Sequence, residues 1–456
     1  MYFVEKIGKR VKAGQTLAMF VALAALVFAP AVAFGQAQTY QRVPFASTPN
    51  PVGSGGRAIG WAGAFIAVAD DATAANWNPA GLVQLIKPEA SVVLSYHVRQ
   101  EDTEFTGYDV DSESRFRSVA NINYASVVYP FNIKKVNMAA SLNYQRLYEF
   151  DRDLKYTATG INQLGYRFEE TRRIEQIGAL TTVTPAYSIQ ITPAFSMGLA
   201  VNFWGLEESG NGWDQRWQVE GWMKDPADPA SLVNSWTEID EEYQVTGVNY
   251  VVGLHYKIRN ITIGAVYKSA WEADVDYSSH YETANYHPYS PSQNNKAVLD
   301  FEDDQKLVWP ESYGVGVAYR YSDRFSFAVD AYTIRWSNFE LDTDQGDLNL
   351  LAGNDQTADI RDAWQIRAGA EYIWLLPKYI AVARGGLFYD PEPLQDEVND
   401  FYGAALGGGL VYKNFVADAA LQYRWATDVE GERIQGVGAE TDVQELTGIV
   451  SLIYHF

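Results

Sequence analysis

Alternation of apolar with small or polar residues, over runs of ten or more positions, restricts the fold of this chain most strongly. Between Tyr313 and Tyr321 the odd-numbered positions are Tyr or Val, and the even-numbered positions are Gly, Ala or Arg. A period of two is typical of β-strands. About ten residues is the length that a tilted strand needs to cross a bilayer, and strands of soluble sandwiches are commonly about half as long. Fourteen such runs follow one another: 90–99, 118–129, 136–149, 173–187, 194–204, 243–256, 261–271, 307–320, 325–339, 363–374, 380–389, 401–411, 415–425 and 446–456.

The connections between these runs alternate strictly between long and short. The seven long connections hold 46 of the 57 acidic residues, whereas the six short ones hold seven bases and one acid. Outer-membrane barrels have short periplasmic turns and long outer connections, and a soluble sandwich has no reason to sort length and charge in this way. The sequence therefore predicts an all-β fold in which residues 90–456 form a 14-stranded antiparallel transmembrane β-barrel of a Gram-negative outer membrane. The long connections are 100–117, 150–172, 205–242, 272–306, 340–362, 390–400 and 426–445.

Composition excludes several functions. A net charge of −22 does not suit binding to a nucleic-acid backbone. The absence of cysteine excludes a disulfide scaffold, a thiolate metal site and a cysteine nucleophile. None of the five histidines lies in a His-x-Ser arrangement, which a lipase barrel would need to place the two side chains on one strand face, and no metal-ligand spacing occurs. We therefore expect no enzymatic activity, no cofactor and no metal.

The N-terminus has the organisation of an export signal. A basic start is followed by the uncharged apolar stretch Thr16–Ala33, which ends in the small residues that signal peptidase reads. The sequence predicts a cleaved signal peptide in residues 1–35, with the mature chain beginning between about Phe34 and Gln38. An exported chain with these strands is a multi-pass protein of the outer membrane.

Residues 38–89 lack the long alternating runs and do not fit the barrel wall. Gly and Ala dominate 53–80, and small residues permit close packing of backbones. A barrel of fourteen strands is wide enough to need filling. We expect this segment to form a hatch, or plug, inside the lumen, and its candidate gating residues are Gly56, Arg57, Asp70, Asp71, Asn78, Pro79 and Ala80.

The last strand, 446–456, ends in an aromatic residue. Phe456, Tyr454, Leu452 and Val450 share one face of this strand. A terminal Phe with apolar partners at every second position resembles the signal that the barrel-assembly machinery reads. Tyr454 and Phe456 are therefore the predicted assembly signal.

The chain resembles the FadL/TodX (OMPP1) family of outer-membrane transporters for long-chain fatty acids and hydrocarbons. The resemblance lies in Gly56-Arg57-Ala58, Gly63-Ala64, Ala69-Asp70-Asp71 and Asn78-Pro79-Ala80, and in the segments Leu307–Phe339 and Ala363–Leu394. It implies a monomeric barrel with a plugged lumen and passive uptake of a hydrophobic small molecule. It also implies a kinked strand near the third position that opens a lateral exit to the membrane, although no Gly or Pro interrupts 136–149.

Large apolar side chains in the connection 205–242 are candidates for ligand capture. A segment facing water that contains Trp213, Trp217, Trp222 and Met223 is unusual unless it packs or binds. Packing of these side chains against the rim is an equally good interpretation. Charges on the strands are expected to face the lumen and to bond the hatch or one another, namely Arg320, Arg367, Glu371, Arg384 and Asp418.

Two alternatives to hydrophobic uptake stay open. A general porin lacks a hatch of fifty residues, and an adhesin uses its outer segments, which are acidic here. The expected partners of an uptake channel are a fatty acid or hydrocarbon, the lipid and lipopolysaccharide of the outer membrane, and the barrel-assembly machinery.

Overall fold

The computed structural model describes residues 51, 53–106, 109–112, 115–162, 164–206, 211–342, 348–349, 360–393, 398–430 and 438–456. The predicted signal peptide and the first part of the predicted hatch lie outside these residues. The helices are short: α1 is Gly56–Gly60, α2 is Ala74–Trp77, and 3-10 helices cover Pro79–Gln84, Pro291–Gln293 and Trp336–Asn338. None of the helices in the described ranges is long and apolar enough to cross a membrane.

The described residues contain twenty-three strands. They are β1 Glu89–Thr106, β2 Asp109–Ser112, β3 Arg115–Ile133, β4 Val136–Glu149, β5 Arg152–Ile161, β6 Arg167–Thr192, β7 Phe195–Trp204, β8 Gly212–Asp225, β9 Asp228–Ile258, β10 Ile261–Lys268, β11 Trp271–Tyr286, β12 Asn295–Trp309, β13 Ser312–Arg320, β14 Phe325–Ile334, β15 Glu340–Asp342, β16 Leu348–Asn349, β17 Ala363–Leu375, β18 Ile380–Tyr389, β19 Glu392–Pro393, β20 Val398–Asn399, β21 Tyr402–Tyr412, β22 Phe415–Glu430 and β23 Gly438–His455.

Fourteen of these strands close into an antiparallel barrel. The ring runs β1, β3, β4, β6, β7, β9, β10, β13, β14, β17, β18, β21, β22 and β23. The last strand pairs with the first from Glu89–His455 to Thr106–Gly438, which closes the sheet. Each of the fourteen predicted runs overlaps one of these strands, so the predicted barrel is confirmed. Because the first and last strands pair with each other, neither is a free edge of the sheet.

Two of the predicted runs are too long. The run 307–320 is interrupted at Pro310, where β12 ends and β13 begins two residues later. Proline has no N–H to donate to a ladder, so a strand ends readily there. The run 325–339 ends at Ile334 and is followed by the 3-10 helix Trp336–Asn338.

The long connections between the wall strands are themselves strands for much of their length. Strands β5, β8 and β11 pair with the outer ends of β6 and β9, β12 pairs with β11, and together they form what we call the outer sheet. β9 alone has 31 residues, which is far more than a bilayer requires. These segments alternate too: in β9, Ile239, Glu241 and Tyr243 alternate with Asp240 and Glu242. Because charges occupy both faces, the apolar signal of a membrane strand is absent.

The outer surface of the barrel has an apolar band between two aromatic girdles. Tyr96, Tyr250, Tyr313, Trp364, Tyr402 and Tyr423 are exposed at the outer end of the wall. Tyr129, Tyr256, Tyr372, Trp374, Tyr412, Phe415, Tyr454 and Phe456 are exposed at the end with short turns. Aromatic girdles mark the two interfaces of a membrane barrel. The end with short turns is assigned to the periplasmic side because outer-membrane barrels have short periplasmic turns.

The ladder between β3 and β4 ends before the strands do. β3 pairs with β4 from Ile133 up to Tyr124, opposite Gln145, whereas Arg115–Ile122 pair only with β1. Beyond Gln145, β4 continues along β6 with a β-bulge at Leu147. The wall therefore has a gap between the outer parts of β3 and β4. The third strand of the ring is irregular although it contains no Gly or Pro.

Candidate functional site

The segment 53–85 lies inside the barrel, and Asn78 ties it to the wall. The Asn78 Nδ2 group donates to Ile66 O within the segment and to Leu254 O on β9, both at 3.0 Å. Its Oδ1 accepts the N–H of Ala80 at 3.1 Å and so caps the 3-10 helix that begins at Pro79. Asn78 is fully buried, so each of these bonds replaces one to water. We call Gly53–Leu85 the hatch.

Glycines in the wall permit this close approach. A Cβ on Gly253 would lie 2.1 Å from Asn78 Oδ1, and one on Gly198 would lie 2.2 Å from the carbonyl carbon of Pro79. Ser196, two residues before Gly198, donates its hydroxyl to Ala80 O at 3.0 Å. The small residues that alternate along β7 and β9 therefore make room for Asn78-Pro79-Ala80.

Arg57 forms the charged side of the hatch. Its guanidinium lies 2.7 Å from Asp70 and 3.4 Å from Glu371 of β17. Burial alone would lower the pKa of Arg57, but the carboxylates of Asp70 and Glu371 outweigh it and raise the pKa well above the usual value. Arg57 is therefore a permanent cation that links hatch and wall.

The wall charges that meet Arg57 also bond one another. Arg384 lies 2.7 Å from Glu371 and 2.5 Å from Asp418, and all three are buried. Arg367 donates to Ala62 O of the hatch at 3.3 Å. The predicted lumenal position is confirmed for these four residues. It is wrong for Arg320, which lies at the periplasmic end of β13, is exposed and pairs with Asp323 at 3.2 Å.

Gly56 and Asp71 complete the predicted hatch residues. The N–H of Gly56 donates to Ser451 Oγ on β23 at 2.6 Å. Asp71 Oδ1 accepts the N–H and the hydroxyl of Thr73 at 2.8 and 2.6 Å. Burial raises the pKa of Asp71, and Arg57 and the Thr73 bonds oppose that shift. The structure thus brings all seven predicted hatch residues into one unit, in which Arg57 and Asp70 are half-buried and the other five are buried.

Three further residues that anchor the hatch were not predicted from the sequence. The N–H of Ile66 donates to Asp330 of β14 at 2.7 Å, Tyr124 donates its hydroxyl to Ala72 O at 2.7 Å, and His255 Nε2 lies 3.0 Å from Ala67 O. Each is a polar residue at a lumenal strand position. The alternation along each strand predicts that these side chains face the lumen. The hatch atom that each one contacts could not be predicted from the sequence.

An aromatic cluster lies directly above the hatch. Trp204 and Trp271 are stacked at 4.8 Å and 4°, and Tyr148 and Trp309 lie 4.9 Å apart. The cluster continues outward into the outer sheet in short steps between ring centroids: Phe150–Trp213 at 4.8 Å, Trp213–Tyr243 at 4.6 Å and Tyr243–Tyr277 at 4.9 Å. It is one connected hydrophobic cluster, which we call the aromatic column.

A cavity separates the aromatic column from the hatch. Water molecules have access to only about 30 Å³ of it. The side chains approach one another so closely that it would hold only about two water molecules. Its floor is formed by Ala75 and Asn76 of α2, and its walls by Gln145, Leu147, Tyr148, Asn202, Trp204, Asn249, Val251, Lys268, Ser269, Trp271, Trp309, Pro310, Ser312 and Ile334, with Pro51 beside the floor.

Lys268 is the cation of this cavity. It shares the lumenal face of β10 with Gly264 and Val266, and no carboxylate of the described residues interacts with it. The cavity also contains amides and a hydroxyl, from Gln145, Asn202, Asn249 and Ser269. An unpaired cation beside indole rings is suited to an anionic group on an otherwise apolar ligand.

The predicted capture residues lie on β8 and divide between its two faces. Trp213 is buried in the aromatic column, and Trp217 packs beside Leu154, Tyr156 and Ile174. Met223 is on the same face and accepts a weak bond from Asn162 Nδ2 at 3.5 Å. Trp222 is on the opposite face, half-buried, with the Lys224 ammonium 5.1 Å from its ring. Three of the four residues therefore share the inner face.

Charged side chains bridge the gap between β3 and β4. Asn121 donates to Glu149 at 3.2 Å, and Arg117 lies 3.6 Å from Asp151. At the inner end of the gap, Leu94 and Ile122 are both more than half exposed on the outer surface. Gln145, Leu147 and Tyr148 line the cavity where the ladder stops. The gap therefore begins next to the cavity, within the apolar band.

The C-terminal residues lie on the lipid-facing surface. Tyr454 and Phe456 have exposed fractions of 41% and 55%, and their rings are 6.3 Å apart. The N–H of Phe456 donates to Pro88 O at 3.0 Å and extends the closing ladder. Their role as an assembly signal stays a prediction.

Comparison with known proteins is consistent with this architecture. The chain is similar to a Pseudomonas aeruginosa FadL homologue, at 14% identity and a TM-score of 0.62 over 90% of this chain and 100% of the other. It is also similar to the CymD monoaromatic hydrocarbon channel, at 15% identity and a TM-score of 0.53 over 89% and 98%. It is similar as well to the P. putida toluene transporter TodX, at 13% identity and a TM-score of 0.53 over 85% of this chain and 94% of the other. At such identities the likeness shows the fold alone.

A family model assigns the chain more specifically. No curated protein matches it significantly. The model described as outer membrane protein transport protein (OMPP1/FadL/TodX), however, matches residues 45–433, which is most of the chain. This family consists of outer-membrane transport proteins and not of enzymes, in agreement with the barrel and its girdles. The chain therefore belongs to the OMPP1/FadL/TodX family of outer-membrane transport proteins.

Proposed function

We propose that this protein is a passive uptake channel for hydrophobic molecules that carry a carboxylate, such as long-chain fatty acids. The observation that carries this proposal is the position of Lys268, an unpaired cation in a cavity walled by Trp204, Trp271 and Trp309. Family membership supports hydrophobic uptake in general, and the cation supports an anionic head group in particular.

Capture begins at the outer sheet. A solute that must cross the hydrophilic coat of the cell needs an apolar surface before it reaches the barrel. The aromatic column supplies such a surface on the inner side of the sheet, from Tyr277 through Tyr243 and Trp213. Trp217 and Met223 extend that inner face, and Trp222 faces away from it. Aromatic rings bind apolar chains without demanding one orientation.

The cavity then selects the ligand. Because it has room for only about two water molecules, a ligand must displace side chains and leaves its own water behind. Burial of a carboxylate in such a place is costly unless it is paired. Lys268 offers that pairing, and Asn249 and Ser269 offer further polar partners.

Release occurs laterally, through the gap between β3 and β4. The bulge at Leu147 places cavity-lining residues at the point where the ladder ends. A ligand leaving there enters the membrane beside Leu94 and Ile122 and does not return to water. The hatch, fixed by Asn78 and Arg57, forms the floor that directs the ligand sideways.

Neutral aromatic hydrocarbons are the second candidate. The stacked rings of Trp204 and Trp271 suit a flat apolar ligand, and two of the similar structures are described as a monoaromatic hydrocarbon channel and a toluene transporter. A neutral ligand, however, gives Lys268 no partner.

Uptake by three variants separates the two candidates. Labelled oleate and labelled toluene are offered to cells that lack other such transporters and express wild type, Lys268→Met or Lys268→Arg. We expect Lys268→Met to lose oleate uptake about ten-fold or more, since a bond between charged groups contributes about 1.5–3 kcal/mol. Lys268→Arg retains it, and toluene uptake is unaffected.

Lys306→Met, which removes an exposed lysine of the outer sheet, is the matched control. Wild-type oleate uptake by Lys268→Met would contradict the carboxylate role. Absence of uptake of either solute by wild type would contradict the channel itself.

A further inference from the structure

The periplasmic turns carry a ring of cations for which the transport path has no use. Seven bases lie in or beside the short turns, and all seven are exposed. The sole acid of these turns, Asp323, is paired with Arg320. We call these seven the collar: Lys134, Lys135, Lys257, Arg259, Arg324, Lys378 and Lys413.

Turn geometry does not favour lysine or arginine at four of the collar positions. Lys134, Lys135, Arg259 and Lys413 have φ values of 49°, 79°, 54° and 55°. Two-residue hairpins of this left-handed type favour Asn and Gly, because other side chains are strained there. The described residues include seven non-glycine positions with positive φ, and four of them are collar cations. These four positions therefore carry a positive charge although their backbone conformation disfavours lysine and arginine.

The distribution of the collar indicates the shape of its partner. Five of the six short turns carry collar residues, so the charges recur around the circumference of the barrel. A protein docked on the rim would contact one side of it. A plane of charge that surrounds the barrel contacts all sides, and the head groups of a membrane leaflet form such a plane.

The neighbours of the collar place it at head-group level. Exposed aromatic residues of the periplasmic girdle lie beside it, including Trp374, Tyr379 and Tyr412. The Lys413 ammonium lies 5.2 Å from the ring of Tyr412. Aromatic girdles sit at the membrane interface, where phosphates are the nearest anions.

We propose that the collar binds the anionic head groups of phospholipids in the periplasmic leaflet and so fixes the depth and tilt of the barrel. The opposite end of the molecule, with its acidic outer sheet, has the reverse charge. Anionic phospholipids are the chemical class that matches a planar ring of exposed lysine and arginine.

The test variant removes positive charge from the collar and introduces residues that favour the positive φ of these turns. The collar variant is Lys134→Asn, Lys135→Gly, Arg259→Asn and Lys413→Asn, whose new residues suit positive φ, so that the barrel should fold at least as well. The control variant neutralises four bases at the outer end: Arg167→Gln, Arg216→Gln, Lys224→Gln and Lys296→Gln. Both changes alter net charge equally.

Quenching of tryptophan fluorescence by brominated lipids gives the readout. Trp374 lies in the periplasmic girdle and is 44% exposed. Its contribution is isolated by repeating each measurement with Trp374→Phe. At low salt we expect wild type and control to prefer brominated phosphatidylglycerol over brominated phosphatidylcholine about five-fold, the ratio that corresponds to about 1 kcal/mol for one cation near an anionic surface. The collar variant loses this preference, and salt weakens it in wild type.

An equal preference in wild type and collar variant would overturn the proposal. No preference in wild type would also overturn it. If wild type lacks the preference and the collar variant loses uptake in cells, the collar serves an acidic periplasmic protein instead of lipid.

Discussion

Asn78 in the hatch donates its side-chain amide to the carbonyl of Leu254 on β9 at 3.0 Å, and this bond crosses from a plug to a wall that is otherwise held by its own ladders. The same amide group bonds Ile66 O inside the hatch. One side chain therefore fixes both the shape of the hatch and its position. Loss of this side chain should change the hatch without changing the barrel.

We predict that Asn78→Ala leaves the barrel folded but loosens the hatch. Two carbonyls and one N–H lose their partner, at about 1–3 kcal/mol for each buried group left unpaired. Heat-modifiability on gels checks the barrel, and protease cleavage within Gly53–Leu85 checks the hatch. Uptake of labelled oleate should also change. Gln84→Ala, which removes an exposed amide bonded to Val68 O at 3.0 Å, is the control and should resemble wild type.

The close approach of hatch and wall predicts a second effect. Gly253→Ala introduces a Cβ at 2.1 Å from Asn78 Oδ1, closer than any real contact, so the hatch must shift. Gly448→Ala adds the same methyl group where the nearest atom is 3.8 Å away and should be neutral. Hatch proteolysis and single-channel conductance distinguish the two variants. Identical behaviour would show that the hatch does not rest against β9.

The end of the chain predicts an effect on assembly. Deletion of Phe456 removes the bond to Pro88 O and an aromatic ring of the periplasmic girdle. We expect less heat-modifiable barrel and more protease-sensitive protein in the membrane fraction, with Phe456→Tyr close to wild type. Normal yields of the truncated barrel would show that the terminal ring is dispensable.

The fourteen wall strands could be predicted because lipid on one side and small residues on the other impose a period of two over ten positions. The outer sheet could not be predicted in this way. β8 and β9 place Trp213 and Tyr243 inward, but Asp214 and Glu242 stand opposite each other on the outer face. Where no lipid contacts the outer face, charged side chains occupy the positions that would be apolar in a membrane strand. The sequence of these strands therefore resembles that of loops.

Only part of the candidate site could be predicted from the sequence, for a different reason. Asn78 and Arg57 could be singled out by family resemblance, whereas their partners Leu254 and Glu371 are distant in sequence. The lumenal position of Lys268 could have been predicted, because it follows Gly264 and Val266 at every second position and therefore shares their face of the strand. The bulge at Leu147 has no local signal, because it arises where β4 leaves β3 and continues along β6.

We propose that hydrophobic ligands leave the cavity through the gap between β3 and β4, and crosslinking tests this directly. The chain contains no cysteine, so thiols can be introduced in pairs without interference. Asn121→Cys with Glu149→Cys spans the gap, where the native side chains lie 3.2 Å apart. Val127→Cys with Leu142→Cys joins positions that are already paired in the ladder and serves as the control.

Uptake of labelled oleate is measured before and after treatment of both variants with a short bifunctional thiol reagent. We predict that crosslinking across the gap abolishes most uptake, whereas crosslinking of Val127→Cys to Leu142→Cys leaves it unchanged. Unchanged uptake by protein that is fully crosslinked across the gap would contradict lateral release.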